Sequence, residues 1–135
     1  MTLGDVFAIS SVAPLLNVEI PGLPPSLWAS YHHGKHLTQP AREWRDTAIW
    51  CLRGTGFKSN VPARYFVLLE LVSPARGRWD VDNREKLVFD AMTLAGVWPD
   101  DSQMDGHISV YRKGREQLTC VSLWRFGAET GGVRR

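Results

Sequence analysis

Asp80 and Asp82 are separated by one residue at the end of an extended stretch. On a strand, that spacing puts both carboxylates on one face, with Cα atoms about 6–7 Å apart. Asp82 also stands where a helix would open, and the positive end of a helix favours neighbouring anions. Lys86 follows about one helical turn later, so its ammonium can reach back over the same site. A second acidic pair, Asp100-Asp101, lies in the loop after Trp98-Pro99. A helix from Asn83 to Ala95 spans about 20 Å, so the returning chain, or a second subunit, has to bring Asp101 to the first pair. Hard oxygen ligands with no His or Cys among them select Mg²⁺ or Mn²⁺ rather than zinc. A carboxylate-held metal beside a lysine suits phosphodiester hydrolysis, in which the metal activates water and both cations balance developing charge. Taken one at a time, each group has a plainer role: Asp82 as an N-cap, Asp80 as a turn residue, Asp100-Asp101 as a solvated loop.

The elements that must position these groups follow from pattern. Leu16–Ile20 alternates as a strand and ends at Pro21-Gly22. Ser30–Thr38 reads as an exposed, partly basic loop. A helix opens at Thr38 or Gln39, carries Pro40 early, and runs through Trp44, Ala48, Ile49 and Leu52 to a stop at Gly54 and Gly56. Ala63–Val72 is a near-continuous apolar run, which argues for a central strand. A second helix takes Asp82 as N-cap, with Glu85 completing a capping box. It buries Leu87, Val88, Ala91, Met92 and Ala95, and ends at Gly96. His107–Arg112 and Gln117–Arg125 follow as strands, joined by Lys113-Gly114-Arg115-Glu116 as a hairpin with a basic turn. The fold class is therefore α+β. Its order is β-α-β-α-β-β, and a small mixed sheet carries two helices on one face. Residues 1–15 read as an N-terminal extension, 16–126 as the domain, and 127–135 as a flexible tail.

Composition sets the frame. The chain has 135 residues, 44% hydrophobic and 22% charged, which is ordinary for a single soluble domain. Its net charge of +2 hides a division: residues 79–105 carry seven acidic and two basic side chains, inside an otherwise basic body. An acidic island in a basic surround suits a cation site presented to a polyanion. Cys51 and Cys120 form no CxxC pair and read as small apolar residues in a reducing compartment. No Lys or Arg precedes Lys35, so no charged leader is read, and no apolar stretch is long enough to span a bilayer. The expectation is a cytoplasmic protein without membrane partners. Trp44, Trp50 and Trp124 fall at positions expected in the core. Trp28 and Trp79 sit in loops, where base stacking or packing at a dimer interface is open to them. The His32-His33-x-x-His36 loop has no fourth ligand that would make it a zinc site.

The run Trp79-Asp80-Val81-Asp82-Asn83-Arg84-Glu85-Lys86 comes first. Phe89-Asp90-Ala91-Met92-Thr93, Ala95-Gly96-Val97-Trp98 and Asp100-Asp101-Ser102-Gln103 follow in fixed order. Together these closely resemble the RusA family of Holliday-junction resolvases. Weaker matches at Pro24-Pro25-Ser26, Leu37-Thr38 and Trp44-Arg45 extend the similarity over residues 16–125. The resemblance implies a homodimeric endonuclease that binds four-way DNA junctions and makes paired symmetric nicks in recombination and repair. By position it implies Asp80, Asp82 and Asp101 as Mg²⁺ ligands, with Mn²⁺ able to substitute and Asp100 as a supporting ligand. Lys86 would be the catalytic cation, and Asn83 would orient Asp82 or a phosphate. No small-molecule cofactor is implied. Two symmetric incisions call for two sites, which an isologous dimer of one small domain provides. Arg76 and Arg78, which flank the acidic pair, are the first candidates for phosphate contacts. Lys35, Arg42 and Arg45, and Arg112, Lys113 and Arg115 on the basic turn, would extend the footprint. Two departures stand out: Trp28 where the family often has Asn, and only two arginines in Ala75–Trp79. Two other functions compete: a nuclease for flaps, forks or other branched DNA, and a non-catalytic structure-specific DNA-binding protein.

Overall fold

The computed structural model describes residues 12–32, 36–59, 63–75 and 81–125. Strand β1 (Leu16–Pro21) leads into a one-turn helix α1 (Leu27–Ser30), whose Ser26 cap accepts from the Ala29 N–H. A two-residue ribbon, β2 (Tyr31–His32) with β3 (His36–Leu37), occupies part of the stretch expected to be a loop. Helix α2 (Gln39–Gly54) starts as its sequence signals predict: Thr38 caps it by accepting from the Ala41 N–H, and Pro40 sits in the first turn. Strand β4 (Tyr65–Ser73) is followed by a 3₁₀ turn (Asp82–Arg84), helix α3 (Glu85–Leu94) and a second 3₁₀ turn (Asp101–Gln103). Strands β5 (Met104–Lys113) and β6 (Leu118–Arg125) complete the described chain. The class is α+β, with one mixed sheet of four strands and two long helices. Among the described residues, no helix is long and apolar enough to cross a membrane.

The sheet order is β1-β6-β4-β5, with β4 parallel to β5 and antiparallel to β6. This overturns the expected hairpin, because β4 lies between β5 and β6. The apolar run of β4 explains its place: a strand buried on both faces belongs at the centre. The connection from β5 to β6 must then step over one end of β4. There the Gly114 N–H donates to Ser73 O at 3.2 Å, and a Cβ at Gly114 would lie 2.3 Å from Val72 Cγ1. Glycine is what allows so close a crossing.

Both long helices bury their stripes in one cluster. Ala41, Trp44, Ala48 and Leu52 of α2, and Leu87, Val88, Phe89, Ala91 and Met92 of α3, pack with alternate residues of β1, β4 and β6. On β4 these are Tyr65, Val67, Leu69 and Leu71, all fully buried. Helix α3 ends where Gly96 adopts φ +84°, with the Gly96 N–H on Thr93 O and the Val97 N–H on Met92 O. Trp98 follows, buried against Tyr65 and Phe89, and its Nε1 donates to Thr93 Oγ1 at 2.8 Å. This anchor fixes the point from which Asp100 and Asp101 depart. Cys120 is buried and Cys51 half-buried, and both thiols are free. Burial pushes the Cys120 thiol above its ordinary range.

Candidate active site

The start of α3 differs from the expected capping box. Asp82 belongs to the 3₁₀ turn, the helix proper begins at Glu85, and Arg84 at the N-cap makes no side-chain capping bond. Other contacts hold the helix start instead. Arg84 Nη1 donates to Pro24 O at 2.6 Å, which ties the turn to the segment after β1. Burial lowers the Arg84 guanidinium from its ordinary value. Glu85 turns towards the sheet, where its Oε2 accepts from His107 Nε2 at 2.9 Å and from Ser109 Oγ. An ionised carboxylate only accepts, so the His107 proton sits on Nε2. The His107 ring also meets Phe89 edge-on, with centroids 5.3 Å apart. Glu85, Phe89, His107 and Ser109 thus lock the first two turns of α3 to edge strand β5. Glu85 was foreseen only as a capping residue; its partners are far away in sequence.

Lys86 lies on the other side of α3, with an exposed side chain. Its ammonium is paired forward with Asp90 Oδ2 at 3.3 Å, rather than turned back along the helix. The Asp90 charge and hydrogen bond raise the Lys86 pKa, and more distant Tyr31 and Asp101 add to the effect. Lys86 is therefore a cation and not a proton acceptor near neutral pH. It lines a cavity of about 490 Å³ with Tyr31, Arg45, Asp90, Asp100 and Asp101. Asn83 joins Lys86 in an adjoining crevice beside Tyr31 and Ser30. The return of the chain past Gly96 and Trp98 thus brings Asp101 into the Lys86 cavity within one subunit. The loop is held there by Gln103, whose Nε2 donates to Ala63 O at 2.9 Å and whose N–H donates to Asp100 O at 3.2 Å. The neighbouring Ser102 hydroxyl, with the Ser102 and Asp101 N–H groups, shifts the exposed Asp100 carboxyl below its usual range.

Asp80, Arg76, Arg78 and Lys35 lie outside the described residues, as does the Asp82 side chain. Among the described residues, no three His, Cys, Asp or Glu side chains converge to hold a metal, so Asp90, Asp100 and Asp101 line the cavity without closing on a common point. Their donor atoms are all carboxylate oxygens, which suit a hard divalent cation. Of the basic candidates, Arg42 is exposed and donates from Nη1 to Leu37 O at 2.6 Å, Arg45 pairs with Asp46 at 3.4 Å, and Arg112 pairs with Glu70 at 3.1 Å. Sequence reasoning gave no role to Asp90, although its spacing of four from Lys86 on one helix was a readable signal. Trp50 corrects another expectation. It is 79% exposed, because the buried stripe of α2 runs through Trp44, Ala48 and Leu52 and leaves Trp50 about 200° round from Ala48.

Fold and site together define a small α+β domain that presents two basic side chains, Arg45 and Lys86, and three carboxylates in one open cleft. The sequence profile of the endodeoxyribonuclease RusA family matches residues 28–121. The chain is 30% identical over 107 residues to the crossover junction endodeoxyribonuclease rusA of Enterobacteria phage 82, covering 74% of this chain and 89% of that one. The crossover junction endodeoxyribonucleases RusA of Shigella sonnei (strain Ss046) and Escherichia coli (strain K12) are each 29% identical over the same shares. The chain belongs to the RusA family.

Proposed function

We propose that this protein is a metal-dependent crossover junction endodeoxyribonuclease, which acts as a homodimer on four-way DNA junctions in recombination and repair. Family membership supports the substrate class. The observation that carries the chemistry is the presence of Lys86 and Asp101 in one open cavity of one subunit, with Asp90 holding the lysine as a cation. The reaction is phosphodiester hydrolysis: water oxygen bonds to phosphorus, one P–O ester bond breaks, and a phosphomonoester and a hydroxyl are left. Asp80, Asp82 and Asp101 would hold Mg²⁺ or Mn²⁺, with Asp100 in support. When bound, such a cation neutralises phosphate charge and acidifies water.

The protein's own groups do the rest. The Lys86 ammonium faces the phosphate oxygen on which charge develops and balances that charge. Asn83, beside Lys86, orients the strand or the neighbouring Asp82. Arg42 and Arg45, with Arg76, Arg78 and Lys35, bind flanking phosphates and set the register of the DNA. A nicking assay tests this on a synthetic four-way junction and a matched linear duplex, with Mg²⁺, Mn²⁺ or EDTA. Paired symmetric nicks on the junction are expected, lost with EDTA and with Asp82→Asn while binding persists. Cutting of flaps and forks at equal rates would widen the substrate class. Binding without any nicking would leave a DNA-binding protein.

A further inference from the structure

We propose that the groove between α2 and α3 is a track for one DNA strand, with Trp50 as the platform on which an unstacked base rests. The inference builds on the nuclease reading and adds a binding surface to it. Helix α2 carries Arg42, Arg45, Asp46, Ile49, Trp50 and Arg53 at i, i+3, i+4, i+7, i+8 and i+11, a single face that flanks its buried stripe. Three guanidinium groups and one carboxylate give that face a net positive charge. On it Trp50 is 79% exposed, and Leu94 across the groove is 52% exposed.

The groove encloses about 830 Å³ and is lined by Arg45, Ile49, Trp50, Arg53 and Leu94 with Asp46. Arg53 Nη2 donates to Leu94 O at 3.2 Å, so its guanidinium is fixed across the gap between the helices. Arg45 and Leu94 line both this groove and the cavity that holds Lys86 and Asp101, so the two are continuous. A strand whose phosphate sits at Lys86 can therefore run past Arg45 to Trp50 without leaving the surface. Arginines placed for backbone phosphates beside one exposed indole are the combination that binds single-stranded segments. A branch point supplies unstacked bases, and a continuous duplex does not.

The test uses the full chain in EDTA, so that binding is measured without cutting, on a four-way junction carrying 2-aminopurine at the branch. Trp50→Ala is expected to weaken junction binding by roughly tenfold and to abolish quenching of the probe. Trp50→Phe should restore affinity to within about threefold of wild type, because a phenyl ring still stacks. Arg53→Gln should lower the slope of log affinity against log salt by about 0.7, the loss of one single-strand phosphate contact. Trp50 is largely solvated, so its two variants should keep the wild-type melting temperature, and sedimentation should show an unchanged oligomeric state. Wild-type affinity and quenching in Trp50→Ala would overturn the proposal. A smaller sedimenting species in Trp50→Ala would also overturn it, by making this face a contact between copies of the chain. A wild type that neither binds nor nicks the junction would defeat the nuclease reading instead.

Discussion

Replacing Glu85 with alanine is expected to destabilise the fold by about 1–3 kcal/mol and to slow junction cutting beyond what the stability loss explains. The side chain is 18% exposed and one of its oxygens serves two donors, His107 Nε2 at 2.9 Å and Ser109 Oγ. Hydrogen bonds to a charged group contribute about 1.5–3 kcal/mol each when buried. His107 is 33% exposed, so water recovers part of that loss, and the net figure falls below the sum. Glu85 is also the one acidic residue in the first turn of α3, where its charge against the helix dipole adds roughly 0.3–1 kcal/mol. Glu85→Gln keeps the length and an acceptor but loses the charge, so it should cost only about 0.5–1 kcal/mol. Thermal and urea unfolding measure both; the alanine variant should melt roughly 4–12 °C lower. Single-turnover nicking then separates position from stability. Lys86 is the next residue on the released helix turn, so its rate should fall roughly tenfold or more at temperatures where the variant is folded. A melting temperature within 1–2 °C of wild type, or a glutamine variant as damaged as alanine, would refute the argument.

Other consequences follow from the same geometry. The Asp90 carboxylate raises the Lys86 pKa, so the stability gained from the pair is present at neutral pH and lost as pH climbs through the raised value. Asp90→Asn should therefore move the alkaline limb of the nicking profile to lower pH, and an unmoved limb would detach Asp90 from Lys86. Lys86→Met should abolish nicking while junction affinity falls by no more than a few fold, since one cation of the footprint is lost; retained cutting would remove Lys86 from the chemistry. Gly114→Ala should cost about 1–3 kcal/mol by urea unfolding, because its Cβ would meet Val72 Cγ1 at 2.3 Å. A neutral Gly114→Ala would mean that the β5–β6 connection shifts freely.

Much of the fold was legible where a local signal had a single physical reading. Thr38 with Pro40 starts α2, Gly96 ends α3, and the near-continuous apolar run of β4 takes the centre of the sheet. Connectivity was not legible. Four residues between two strands suit a hairpin, yet they also span the two strand spacings, about 10 Å, needed to cross β4. Only the neighbours of β4 decide between these, and they are set by tertiary burial. Trp50 differs for another reason: the sequence reading puts it on the apolar face with Trp44, yet the buried stripe of α2 runs through Ala41, Trp44, Ala48 and Leu52 and passes it by.

The candidate site divides along the same line. Acidic pairs, a lysine and their order survive reading as a string, because they are properties of residue type and spacing. Their directions do not. Lys86 has an aspartate four residues before it and another four after, and one unbroken α-helix would place both on its face. The chain breaks that symmetry by putting Asp82 in a 3₁₀ turn, outside the regular helix that carries both Lys86 and Asp90. Asp90, inside the regular helix, keeps it and takes the ammonium at 3.3 Å. The lysine is thereby drawn along α3 to Asp90, at the cavity that Asp101 also lines. That direction follows from a change of helix type that no single residue announces.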